Sequence, residues 1–227
     1  MYLLLPVLIL LVVLFLPSLW VKRVMRRYSQ PEARYAVTGA AAARRLLDLH
    51  GLQTVQVEVT KLGDHYDPHD RVVRLSPSNH DSRSLTAVTI AAHEVGHAVQ
   101  QATGYGPLRL RTQLVRLLGP LEKAGAALLM AAPLILAATR APSAGGLMLV
   151  GGLLTLGSAI LVHLVTLPME FDASFRRALP MLADNDVLIP GDEQHARRLL
   201  TAAAMTYVSA SLMSLFNIAR WWTILRR

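Results

Sequence analysis

The sequence predicts a mainly α-helical membrane protein that carries a small α+β part on one side of the bilayer. Three observations predict it. Hydrophobic residues fill 53% of the 227 positions and charged ones only 17%, whereas a soluble domain is about a quarter charged. The apolar residues gather in runs too long for strands and too continuous for the buried stripe of an amphipathic helix. Between two of these runs, the chain first alternates as strands do and then turns helical around His93-Glu94-Val95-Gly96-His97.

The first run, residues 2 to 21, holds 20 residues without a charge. As a helix it is about 30 Å long, the thickness of the hydrocarbon core. It lacks the basic lead and the small-residue cleavage site of a signal peptide. Lys22, Arg23, Arg26 and Arg27 follow it. Basic flanks stay in the cytoplasm, so the N-terminus is expected outside and residue 22 inside. The net charge of +8 therefore points to the inner leaflet, and no nucleic-acid partner is expected: the Lys and Arg flank apolar runs instead of gathering with aromatics on one face. The chain has no Cys, which excludes disulfides, thiolate metal ligands and a Cys nucleophile.

In residues 22 to 116, Thr38-Gly39 opens an Ala-rich helix, Ala40 to His50, that stops at Gly51. Val55 to Val59 and Arg71 to Leu75 alternate, and the polar residues 63 to 70 between them predict a β-hairpin or two edge strands. The next helix runs from about Ser84 to Thr103 and ends at Gly104. Arg109, Arg111 and Arg116 read as lipid-facing anchors ahead of two further apolar runs, Leu117 to Ala138 and Gly145 to Leu167. A short loop joins these runs, which makes them a transmembrane helical hairpin. The expected organisation is an anchor (1–21), a cytoplasmic part (22–116), the hairpin (117–167) and a returning part (168–227). In the last, Leu199 to Ala219 carries a polar stripe of Thr206, Ser209, Asn217 and Arg220. It is expected to lie at the membrane surface or against the other spans rather than to cross.

Four positions apart on a helix, His93 and His97 share one face, so two imidazole nitrogens can converge on a tetrahedral Zn²⁺. Glu94 sits about 100° around the helix. Its carboxylate can reach an attacking water without being a ligand. Small and apolar neighbours, Thr89 to Ala92 and Ala98-Val99, predict that this helix is buried. A hydrolytic zinc site takes three protein ligands and leaves one position open. Glu170 is the candidate for the third, because two antiparallel crossings return the chain to where it entered the membrane, and Pro168 suits the first turn of a new helix. Asp172 is its competitor. His65, His69 and His80 with Asp64, Asp67 and Asp70 could make a second site, although their irregular spacing favours a solvated turn. His163, inside a span, is functional by default, but its place one turn from the span's end favours a neutral ring bonded to a neighbouring helix. Arg71 to Leu75 is the candidate sheet edge for a substrate strand.

The segments around His93 to His97, Asp64 to Pro68, Gly104 to Arg111, Leu167 to Ser174 and Ala203 to Val208, in that order over nearly the whole chain, resemble the bacterial YugP-type neutral zinc metallopeptidases. More distantly the layout is similar to the HtpX-like heat-shock proteases and the CAAX prenyl endopeptidases. The resemblance implies a zincin-like, gluzincin-like catalytic part with the hairpin inserted between its second and third ligands. It implies one Zn²⁺ on His93, His97 and Glu170, Glu94 as general base, and a membrane-anchored endopeptidase whose partners are a peptide or protein substrate and membrane lipid. Quality control of membrane proteins is the setting it suggests. In the wider group an acid stands four positions after the ligand Glu, where this chain has Ser174. Tyr207 and His195, in the returning part, are candidate oxyanion donors, with Tyr66 as a third. The alternative function is a catalytically silent membrane scaffold with a structural zinc, a role that would not need Glu94.

Overall fold

A computed structural model describes residues 4–31, 33–139, 143–185 and 187–206. The leading apolar run is helical: α1 spans Leu4–Tyr28 and keeps Arg26 and Arg27 in its last turn. Helix α2 (Gly39–Leu49) begins at Thr38, whose hydroxyl accepts the Ala41 N–H and so satisfies one donor of the open first turn. Strands β1 (Gln56–Val59), β2 (His65–Asp67) and β3 (Val72–Leu75) follow, then the short α3 (Pro77–His80). Helix α4 (Leu85–Ala102) starts in the same way, with Ser84 Oγ accepting the Ala87 N–H. Beyond it come α5 (Gly106–Thr139), α6 (Ser143–Phe171), a π-helical segment (Asp172–Ala178), α7 (Leu179–Asp184) and α8, described over 193–206.

Helix α4 is the centre of the main hydrophobic core. Leu85, Val88, Ala91, Ala92 and Val95 join one apolar core with Ala42, Ala43, Leu46 and Leu47 of α2, Val73 and Leu75 of β3, and Leu199 and Leu200 of α8. Burying a helix on all faces is what its apolar, small-residue sequence allows.

The sheet departs from the expected hairpin. Both alternating runs are strands, but β1 and β3 pair in parallel, with Gln56 opposite Val72 and Val59 opposite Leu75. The antiparallel partner of β3 is β2, from within the polar stretch. The order β1-β3-β2 makes Arg71 to Leu75 the central strand, not an edge, in keeping with the burial of Val72, Val73 and Leu75. Polar composition hid β2 because Arg74 neutralises its surroundings. It pairs with Asp67, with Asp70 at 2.6 Å and with Glu58 at 3.3 Å. Asp64 is likewise held, by the Ser76 N–H at 2.7 Å and Asn79 Nδ2 at 2.8 Å. These acids form a hydrogen-bonded turn. Among the described residues, the one group with metal-holding geometry lies elsewhere.

Helices α5 and α6 are long and apolar enough to cross a membrane. They pack as a hairpin through small residues: a Cβ at Gly125 would lie 2.6 Å from the Gly151 carbonyl oxygen, and one at Gly151 would lie 2.7 Å from that of Gly125. Close backbone approach of this kind is how helices associate in lipid, where apolar burial gives no drive. Leu117, Met130, Leu134, Leu153 and Leu164 point outward, each more than 60% exposed, as lipid-facing side chains would. His163 Nδ1 is buried and has no hydrogen-bond partner among the described residues, so the expected bond to a neighbouring helix is not made by that atom. At its C-terminal end α6 does not restart at Pro168 as expected. It continues through Pro168 to Phe171 and passes directly into the π-helical segment, an adjustment of the kind that accommodates a proline within a helix.

Candidate metal centre

One turn apart on α4, the rings of His93 and His97 stand edge to face with centroids 4.8 Å apart. The hairpin returns Glu170, at the end of α6, to meet them. Glu170 Oε2 lies 3.1 Å from His93 Nε2 and 3.4 Å from His97 Nε2. One ligand atom from each of the three residues falls within 4.8 Å of the others. Tetrahedral zinc ligands at about 2.0–2.1 Å from the ion stand roughly 3.3–3.4 Å from one another, so the two Glu170–imidazole spacings fit that ion. Glu170 is fully buried and its Oε1 has no hydrogen-bond partner among the described residues. A buried carboxylate oxygen left unpaired costs free energy, and a bound cation would remove that cost.

The outer edges of both imidazoles are held. Gln100, fully buried, donates from Nε2 to the Met169 carbonyl and to Asp172 Oδ2, both at 2.8 Å. Its Oε1 is thereby turned to His97 Nδ1 at 3.0 Å, which must carry the proton. Ser174 Oγ bonds the Leu200 carbonyl at 3.4 Å and faces His93 Nδ1 at 3.1 Å, so it accepts from that ring. With both Nδ1 atoms donating outward, each Nε2 faces Glu170 and would offer its lone pair to a metal bound there, the orientation a ligand requires. Asp172, the competitor for third ligand, instead receives Gln100 and Arg177, the latter at 2.7 Å.

Gln100 was not legible as a site residue, since a Gln on a helix ordinarily faces water. The available signal was its place three positions after His97, on the same face of a helix whose preceding residues are mostly small or apolar. Gln100→Leu removes the acceptor for His97 and one donor each from Asp172, which keeps Arg177, and from the Met169 carbonyl. Zinc affinity, read by chelator competition, is expected to fall about 10–100-fold. An unchanged affinity would show that Gln100 does not orient the ring.

Burial pushes the Glu94 carboxyl above the usual carboxylate range, against the pull of His93 and His97. Burial acts to lower His97, but the Glu170 carboxylate outweighs it and raises the ring to about 9. Glu170 is held far below its ordinary value; burial opposes this, and the two histidines override it. A carboxyl held high in this way is suited to carrying a proton.

His93 and Glu94 open onto a cavity of about 500 Å³, closed by Val21, Met25 and Arg26 of α1, by Asp64, Ser76 and Asn79, and by Ile90, Ala203 and Thr206. His97 and Glu170 lie behind this surface. Two of the other expected site residues do not line the cavity. His195 Nδ1 bonds the Tyr28 hydroxyl at 3.0 Å, and Tyr66 donates its hydroxyl to Gln101. Tyr207 and the remainder of the Leu199 to Ala219 stretch beyond 206 lie outside the described residues.

Comparison with known proteins agrees with this geometry. A family model described as "Putative neutral zinc metallopeptidase" matches residues 2–226. The chain is 39% identical over 204 residues to "Putative membrane protease YugP" of Bacillus subtilis (strain 168), an alignment that covers 88% of this chain and 86% of that protein. No solved structure matches it. A match from one end of the sequence to the other, over a chain whose two histidines and glutamate converge, shows that this protein belongs to the neutral zinc metallopeptidase family.

Proposed function

We propose that this chain is a membrane-anchored zinc endopeptidase of the gluzincin type, with His93, His97 and Glu170 holding one ion and Glu94 acting as general base. The observation that carries the reading is the convergence of the three ligand atoms directly behind a cavity wall on which Glu94 sits. When bound there, zinc supplies a Lewis acid that polarises the scissile carbonyl and lets water lose a proton near pH 7. Glu94 takes that proton and passes it to the leaving amine. Ser174 and Gln100 keep the two rings aimed, and the cavity walls exclude bulk water and orient the peptide. Tyr207 directly follows the cavity residue Thr206 and is our candidate oxyanion donor, ahead of His195, whose Nδ1 is engaged by Tyr28.

In this reading residues 22–116 and 168–227 together build the catalytic part around the membrane hairpin 117–167. The basic flank of α1 supports a cytoplasmic position for it, and our reading takes membrane or misfolded proteins as the substrates and quality control as the role. Protein purified in detergent should carry about one zinc per chain and cleave casein or a peptide library. A strong chelator should abolish cleavage, and added zinc should restore it. Cleavage that persists in metal-free protein would overturn the proposal.

A further inference from the structure

The geometry points to a carboxylate-binding subsite at Arg26 in the same cavity, and so to a substrate peptide that carries a carboxylate beside the bond to be cut. This inference rests on the protease reading above. Helix α1 does more here than anchor the chain. Thr86 Oγ1 donates to the Met25 carbonyl at 3.0 Å, which ties the last turns of α1 to α4 two turns ahead of His93. Val21 and Val24 are buried in the same contact. The inner end of α1 is thereby fixed as a wall of the cavity, with Arg26 on it.

Three lining residues other than His93 carry an ionisable side chain: Glu94, Asp64 and Arg26. Glu94 belongs to the reaction centre. Asp64 is already committed, with Oδ1 accepting the Ser76 N–H and hydroxyl and Oδ2 accepting Asn79 Nδ2. Arg26 has no carboxylate partner among the described residues, and Lys22, Arg23 and Arg27 share its surface, adding to the positive potential there. A guanidinium fork matches a carboxylate in two parallel hydrogen bonds. The cavity is therefore polarised. Arg26 draws a substrate anion to the α1 wall, and Met25, Ile90 and Ala203 offer apolar surface beside it. That polarity sets the direction and register in which a peptide lies across Glu94. The carboxylate can be a chain's C-terminus or an acidic side chain.

The test uses full-length Glu94→Gln protein in detergent with zinc, which binds without turnover. Fluorescent peptides of one sequence are compared with a C-terminal carboxylate or amide, and with an internal Glu or Gln, by anisotropy. At least one anionic form is expected to bind about three- to fivefold tighter than its neutral partner, the scale of an exposed ion pair. Which pair shows the preference identifies the source of the carboxylate. The preference should vanish on adding Arg26→Gln, survive in part with Arg26→Lys, and weaken with salt. Equal binding of charged and neutral forms, binding of none, or a preference that survives Arg26→Gln overturns the subsite. Cleavage of the same peptides by the unmutated protein is read separately: a charge preference without any cleavage would remove the protease reading and leave Arg26 as a binding residue.

Discussion

Glu94→Gln is expected to retain zinc and to lose about 10²–10⁴-fold in kcat/KM for peptide cleavage, the usual share of a positioned acid–base group. Gln keeps the length and shape of Glu but cannot take a proton from water. Metal content should hold because Glu94 is not part of the converging trio of His93, His97 and Glu170. Its cost to the fold is equally testable. Glu94 is buried and its carboxyl is pushed upward by that burial, so its charged form is a burden on the folded chain. The amide lifts that burden, and thermal stability in detergent should be unchanged or higher, as when a residue is kept for chemistry at a cost in stability. Equal cleavage by the two proteins, with zinc present in both, removes Glu94 as the base.

What could be read beforehand follows from how local each signal is. The histidine pair and Glu94 were legible because helix periodicity alone aligns them, and Ser84 and Gly104 bound that helix at positions that side-chain capping and a φ of 65° favour. The return of Glu170 was legible because a hairpin has to bring the chain back. Strand pairing was not, since alternation with a period of two is the same for a parallel and an antiparallel neighbour, and three Asp residues around β2 resembled a loop until Arg74 was seen to neutralise two of them. The π-helical segment has no local signature. It can be recognised afterwards in the Asp172 to Arg177 pair, five positions apart, which is the spacing of a π turn. That segment carries the response to both histidines: Asp172 reaches His97 through Gln100, and Ser174 meets His93.

The same segment makes Gly96, between the two histidines, the most size-sensitive position of the centre. A Cβ there would lie 2.8 Å from the Ala173 carbonyl oxygen, closer than real side chains come, and the obstacle is backbone rather than a movable side chain. In a free helix Ala would be favoured over Gly by about 1 kcal/mol. Here the clash opposes that gain, because α4 and the π-helical segment must separate. Gly96→Ala is expected to destabilise the protein by about 1–3 kcal/mol, in the range of other overpacked interiors, and Gly96→Val by more. The separation acts on the metal first. Ala173 lies between Asp172 and Ser174 and three positions after Glu170, so a shift of a few tenths of an ångström carries Glu170 off the line of both Nε2 atoms and loosens the two ring supports together. Zinc affinity should therefore fall about tenfold or more in Gly96→Ala, measurable by chelator competition at a temperature where circular dichroism shows the chain still folded. A variant that binds zinc as tightly as the original and melts at the same temperature would mean that this contact does not hold Glu170 in place.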